Sequence, residues 1–130
     1  MRDLKHLLFF ENLLQQANNE LVQQACKDGR HAIAYNCSYI PEVLLDVTGC
    51  FGVRLRAPGC TNPDLATYYM TNRSCPYSKS ILERAIEGGY NFIDALMGQE
   101  CCTTMNRMEQ YFGYCKLIPN EKFFTSFIDM

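Results

Sequence analysis

Cysteine is the residue type in this chain that could do the most chemistry. The 130 residues include eight of them, at positions 26, 37, 50, 60, 75, 101, 102 and 115. A thiolate is a nucleophile, a redox centre and a soft metal ligand. The spacing is not that of a zinc site: no C-x2-C pair occurs, and His6 and His31 lack the H-x3-5-H interval. The compartment decides how thiols in this number are read. The apolar run Leu7–Phe10 is far too short for a membrane span or the core of an export signal. The sequence therefore predicts a cytoplasmic protein, in which such cysteines point to metal binding or redox work rather than a disulfide framework. So many unpaired thiols also favour an anaerobic host.

Position along the chain sorts the cysteines. Cys75 stands directly before Pro76, at the predicted start of a helix, where free N–H groups and the helix dipole stabilise a thiolate or a bound anion. An iron–sulfur cluster held by thiolates is such an anion, and N–H or O–H contacts to its sulfurs tune its potential. Ser74 and Ser78 could supply hydroxyl donors there. Cys37 follows the first predicted strand, and Cys101 and Cys102 follow the third. Cys26, Cys50 and Cys115 fall on helix faces or inside a strand and read as small buried apolar side chains, while Cys60 stays open between the two readings. For Cys37 and Cys75, position alone leaves both a functional and a packing role open. A simple thiol redox protein built on Cys101 and Cys102 is disfavoured, because the C-x-x-C arrangement that lowers a thiol pKa is missing.

The elements that must carry these residues alternate. Residues 3–27 have the helical spacing of Leu4, Leu7, Leu8, Leu14, Ala17, Leu21 and Ala25, with Gly29 as the stop. Strands are predicted at Ala32–Asn36, Phe51–Arg56, Asn91–Met97 and Phe123–Ile128. Helices are predicted at Glu42–Val47, Pro76–Glu87 and Thr103–Phe112, two of them preceded by or opening on proline. Residues 57–73, rich in Pro, Asn and Thr, form a long loop with a helical turn near Asp64–Tyr69. Strands alternating with helices imply a parallel sheet with right-handed crossovers. The fold class is thus α/β, a Rossmann-like or flavodoxin-like parallel sheet with flanking helices. In such open sheets ligands bind beyond the carboxyl ends of the strands, the edge to which Cys37, Cys75 and the Cys101–Cys102 pair all map.

Bulk composition narrows the function further. Hydrophobic residues make up 48% and charged residues 20%, an ordinary globular balance, and the net charge of −2 offers no basic field for nucleic acid or an anionic membrane. The chain divides into an amino-terminal amphipathic helix, 1–29, and an α/β domain, 30–130. Its last residues, Asp129 and Met130, follow an apolar strand directly, and three crossovers give a parallel sheet marginal cover. A truncated chain, the first domain of a longer protein, is expected.

Three stretches together resemble the 2-hydroxyacyl-CoA dehydratase/benzoyl-CoA reductase family, in the manner of a D-component iron–sulfur subunit. Asn36-Cys37-Ser38-Tyr39-Ile40-Pro41-Glu42-Val43, followed by Gly49 and Val53-Arg54-Leu55, is similar to the family's strand, cysteine and Pro-Glu helix opening. Ser74-Cys75-Pro76-Tyr77-Ser78-Lys79-Ser80 resembles its Cys-Pro-x-x-Lys-Ser segment. Glu87 to Leu96, leading through Cys101 or Cys102 into Met105 and Arg107, resembles its strand that ends in a cysteine and enters a helix. The resemblance covers about residues 30–112.

The resemblance implies a 4Fe–4S cluster used for ATP-driven, low-potential, single-electron chemistry on an acyl-CoA. By position, Cys37 and Cys75 match the first two cluster cysteines. Cys101 matches a recurrent cysteine near the site, although Cys102 beside it, or a later cysteine, could be the third ligand. Ser38, Ser74 and Lys79 are candidates for supporting the ligands, Lys79 being equally readable as a solvated helix residue. The implied partners are a second homologous subunit in a heterodimer, an ATP-hydrolysing iron–sulfur activator protein and the acyl-CoA substrate, with no nucleic acid and no membrane. The alternatives are a double-cubane ATP-dependent reductase of the same family and a non-catalytic truncated paralogue.

Overall fold

A computed structural model describes residues 4–100 and 102–129. Helix α1 spans Lys5–Leu14 and helix α2 spans Glu20–Lys27. The strands are β1 (His31–Tyr35), β2 (Cys50–Arg54), β3 (Ala95–Gln99) and β4 (Phe124–Ile128), with helix α3 (Pro76–Ile86) between β2 and β3 and helix α4 (Thr103–Tyr114) between β3 and β4. The four strands form one sheet in the order β2-β1-β3-β4, every neighbouring pair parallel. Of the two orders left open by the alternating pattern, that is the flavodoxin-like one, and its switch point lies between β1 and β3.

The two faces of the sheet are covered unequally. Ala34 of β1 and Leu96 of β3, paired in register, point into the main core with Ile81, Leu82 and Ala85 of α3 and Met105, Met108 and Phe112 of α4. Ala32 of β1 with Phe51 and Val53 of β2 forms a smaller cluster closed by Val22, Ala25 and Cys26 of α2. The opposite face carries Ile33, Tyr35 and Met97 and is covered by Ile40 and Leu45 from the β1–β2 crossover.

The structure differs from the sequence expectation at three places. The single helix over 3–27 is two helices, because Asn19 caps the second: its Oδ1 accepts from the N–H groups of Leu21 and Val22, both at 3.1 Å, and its Nδ2 donates to the Leu13 carbonyl. A side chain that satisfies free N–H groups this way starts a helix wherever it stands. The helix expected over Glu42–Val47 is one 3-10 turn, Glu42–Leu44. It is held at its start by the Tyr35 hydroxyl donating to the Glu42 carboxylate, and β-branched Val43, Val47 and Thr48 favour helix weakly. The third strand begins at Ala95 rather than Asn91. Residues 91–93 are spent on turns, and the Asp94 N–H donates to the Ala32 carbonyl while its carboxylate accepts from the Ala32 N–H, each at 2.9 Å. The remaining boundaries agree within two residues.

Candidate functional site

The site is built at the carboxyl edge of the sheet. Cys37 leaves β1 one residue after Asn36, half-buried against Tyr35, Ile40 and Leu45. Its carbonyl accepts from the Ile40 N–H at 3.2 Å, which curls residues 37–40 into a turn. Cys75 is the N-cap residue of α3, with Pro76 at the first helical position. Its thiol is exposed and makes no capping hydrogen bond. Its carbonyl accepts from the Lys79 N–H at 3.1 Å and from the Ser78 hydroxyl at 2.8 Å.

One side chain relates the two thiols. The Tyr77 hydroxyl donates to the Leu55 carbonyl at 2.9 Å. Burial is the largest influence on this phenol and raises its pKa; the Arg54 guanidinium acts in the opposite direction, and Cys37 and Cys75 both raise it further. Both cysteines thus lie near enough to this phenol to bear on its ionisation, though less than burial and Arg54 do. Arg54 stands in the same place, its Nε donating to the Asn36 carbonyl at 3.3 Å. The neighbourhood thus joins two thiols, a guanidinium and a phenol at the ends of β1 and β2 and the start of α3.

The other predicted residues divide. Ser38 is exposed in the Cys37 turn. The Ser74 hydroxyl lies 3.3 Å from that of Thr71, and Ser78 spends its proton on a carbonyl, so neither serine is shown serving the Cys75 thiol. Lys79 is half-buried in the first turn of α3. Cys101 lies outside the described residues. Cys102 is exposed at the N-cap of α4, its sulfur 3.4 Å from the Thr104 hydroxyl. Cys26 is packed as expected, and burial together with the Asp94 charge pushes its thiol pKa up. Cys50 is half-buried, whereas Cys115, expected to be buried, is exposed as the C-cap residue of α4, just past the helix's last turn.

The sequence reading missed Arg54 and Tyr77, though both lie inside the stretches that carried the resemblance. It also missed a buried polar pair at the switch point: Asn36 Nδ2 donates to Glu109 Oε1 at 2.8 Å, both residues 2% exposed. Burial raises the Glu109 pKa to about 7, against a smaller opposing effect of the Asn36 hydrogen bond.

An iron–sulfur cluster can be tested against these donors. Thiols at a strand end and a helix start, next to a cation and N–H groups, match the anionic, sulfur-ligated chemistry of such a cluster. Among the described residues, however, no group of three Cys, His, Asp or Glu side chains is placed to hold a metal ion. Cys37 and Cys75 are the right donor type for such a cluster but do not make up a site by themselves; a cluster at this edge would need a further ligand.

An open parallel α/β domain with Cys37 and Cys75 at the carboxyl edge of its sheet is the class of protein that the fold defines. Residues 37–124 match the family model for 2-hydroxyglutaryl-CoA dehydratase, D-component, and the chain belongs to that family. The match opens on Cys37, contains Cys75 and closes at the first residue of β4. No curated protein matches the chain. No helix among the described residues is long and apolar enough to cross a membrane.

Proposed function

We propose that this chain is an iron–sulfur subunit, or the first domain of one, in an enzyme of the 2-hydroxyacyl-CoA dehydratase/benzoyl-CoA reductase type. Cys37 and Cys75 would hold a 4Fe–4S cluster, with Cys101, Cys102 or a later cysteine as the third protein ligand. The observation that supports this reading is the placement of Cys37 just past β1 and of Cys75 at the N-cap of α3, both at the carboxyl edge of the sheet and both inside the stretch that matches the family model. A bound cluster would supply one-electron transfer at low potential. The chain's own residues do the rest. The Cys37 turn and the start of α3 fix the two sulfurs, Arg54 offsets the negative charge that thiolates bring, and Tyr77 ties α3 to the end of β2. With the cluster bound, the electron would be supplied by an ATP-hydrolysing activator in the cytoplasm and would serve an acyl-CoA held with a second homologous subunit.

Anaerobic reconstitution with iron and sulfide tests this. Wild-type protein should take up iron and show the sulfide-to-iron absorption, while Cys37→Ala and Cys75→Ala should each lose most of it and Cys115→Ala should not. Absence of iron uptake by the wild type would remove the cluster role from this chain. Equal uptake by all variants would remove the ligand assignment.

A further inference from the structure

The Asn36–Glu109 pair lacks one proton. Asn36 Nδ2 satisfies Glu109 Oε1, but Asn36 Oδ1 and Glu109 Oε2 are both buried and have no hydrogen-bond partner. Both are acceptors while the carboxyl is ionised. A carboxylic acid and a carboxamide are complementary: the amide N–H donates to the acid carbonyl, and the acid O–H donates to the amide oxygen. A proton on Oε2 is the donor that is missing.

The surroundings are shaped for the carboxyl, and among the described residues no charged group is seen paired with it. Asn36 stands one step past Tyr35, whose partner across the sheet is Met97, so it lies beside Gly98 of β3. A Cβ on Gly98 would sit 2.2 Å from Glu109 Oε2, so only glycine leaves this space. From β4, Phe127 closes the same space, its ring 3.0 Å from that position. The buried carboxylate of α3, Glu83, is turned to the Ala66 N–H at 2.7 Å. On α4 itself, Arg107 lies over the Tyr111 ring, and at the end of β2 Arg54 reaches the Asn36 backbone carbonyl instead of the carboxyl. A buried carboxyl without a cation is held neutral by desolvation.

We propose that Glu109 is a positioning residue for the Cys37 turn: carried as the neutral acid it closes a two-bond pair with the Asn36 side chain, and loss of that proton opens the pair and loosens the turn. The proton leaves to solvent, and no other covalent bond is made or broken. Asn36 is the residue next to Cys37, so the pair ties the Cys37 turn to α4 across the switch point. Only the importance of Cys37 as a ligand rests on the proposed function; the pair is formed by Asn36 and Glu109 alone.

The test uses the reduced, metal-free chain. Cys37 is pulse-labelled with N-ethylmaleimide across a pH series spanning about pH 7, and its rate is taken by peptide mass spectrometry relative to exposed Cys115 in the same molecule, which removes most of the ordinary rise in thiolate. The Cys37/Cys115 ratio should rise by roughly threefold or more as pH passes the Glu109 midpoint, since ionisation is then coupled to opening. In Glu109→Gln, whose amide supplies the donor at every pH, the ratio should stay level. A level ratio in wild type, or an equal rise in both proteins, overturns the proposal. Should Glu109→Gln not fold, the wild-type Glu109 carboxyl is followed by carbon NMR. A midpoint near 7 that coincides with the labelling transition supports the proposal, and a carboxyl ionised at an ordinary glutamate pKa overturns it. Iron uptake is read separately, so failure of the cluster reading leaves this result standing.

Discussion

The Tyr77 hydroxyl donates to the Leu55 carbonyl across 2.9 Å and so fastens the first turn of α3 to the end of β2. That bond sets the start of the helix, and with it Cys75, against the strand edge that also receives Cys37. Tyr77→Phe should keep the ring packing and lose the bond. A single hydrogen bond of this kind contributes about 1 kcal/mol. Urea denaturation should show a loss of that size with an unchanged slope, and reconstituted iron should be retained less well. A variant as stable as wild type with unchanged iron would separate Tyr77 from the site.

Asn19 is the second place where one side chain decides local structure. It caps α2 through two N–H groups and also holds the Leu13 carbonyl at 3.2 Å. Asn19→Ala should cost about 1 kcal/mol, the usual range for a lost N-cap. Hydrogen exchange should locate the loss in the first turn of α2, at the amides of Leu21 and Val22. Protection unchanged there would mean that α2 is held by its packing on Ala32, Phe51 and Val53 instead.

The Asn19 cap also shows why part of the fold was legible in the sequence and part was not. The four strands, α3 and α4 were readable because apolar periodicity, Pro76 and the glycine stops act locally. The break at Asn19 carries a local signal as well, a capping residue followed by Glu20, but it was outweighed by helical spacing that continues on both sides. The start of β3 was not readable, since Asp94 is drawn onto Ala32 by a contact 62 residues away in the chain. The site behaves in the same way. Cys37 and Cys75 stood out by residue type and by their places before and after elements. Glu109 looked like one more polar helix residue, because its partner Asn36 lies 73 residues earlier. Arg54 and Tyr77 acquire meaning only when the ends of β2 and α3 are brought together.

Gly98 should prove the least tolerant residue of β3. An added methyl would meet Glu109 Oε2 at 2.2 Å, its carboxyl carbon at 2.7 Å and the Phe127 ring at 3.0 Å. Glu109 is buried and bonded to Asn36, so it cannot simply swing aside. Gly98→Ala should destabilise the protein by roughly 1–3 kcal/mol, the common range for overpacking. Glu109→Ala removes the atoms that the methyl would strike. The double variant Gly98→Ala/Glu109→Ala should therefore be more stable than the sum of the two single losses predicts. Strict additivity in a denaturation cycle would show that the two residues do not share this space.

The Glu109 carboxyl also sets the direction in which the stability of the whole chain changes with pH. Its pKa is raised from 4.5 to about 7 in the folded protein, burial being the main cause. Between those values the folded chain keeps a proton that the unfolded chain has released. Stability therefore falls as pH rises through this window and levels off above it, because the slope follows the difference in bound protons between unfolded and folded states. The full effect is roughly 3–4 kcal/mol, since each pKa unit corresponds to about 1.4 kcal/mol. The buried phenol of Tyr35, raised to about 12 by burial and by Glu42, titrates well outside this range. Urea midpoints measured at pH 5 and pH 8 should differ in that direction for wild type. Glu109→Gln should lose most of the difference and exceed wild type in stability at the higher pH. If Glu109→Gln instead keeps the wild-type slope, the proton responsible belongs to another group and the carboxyl of Glu109 is ionised in the fold.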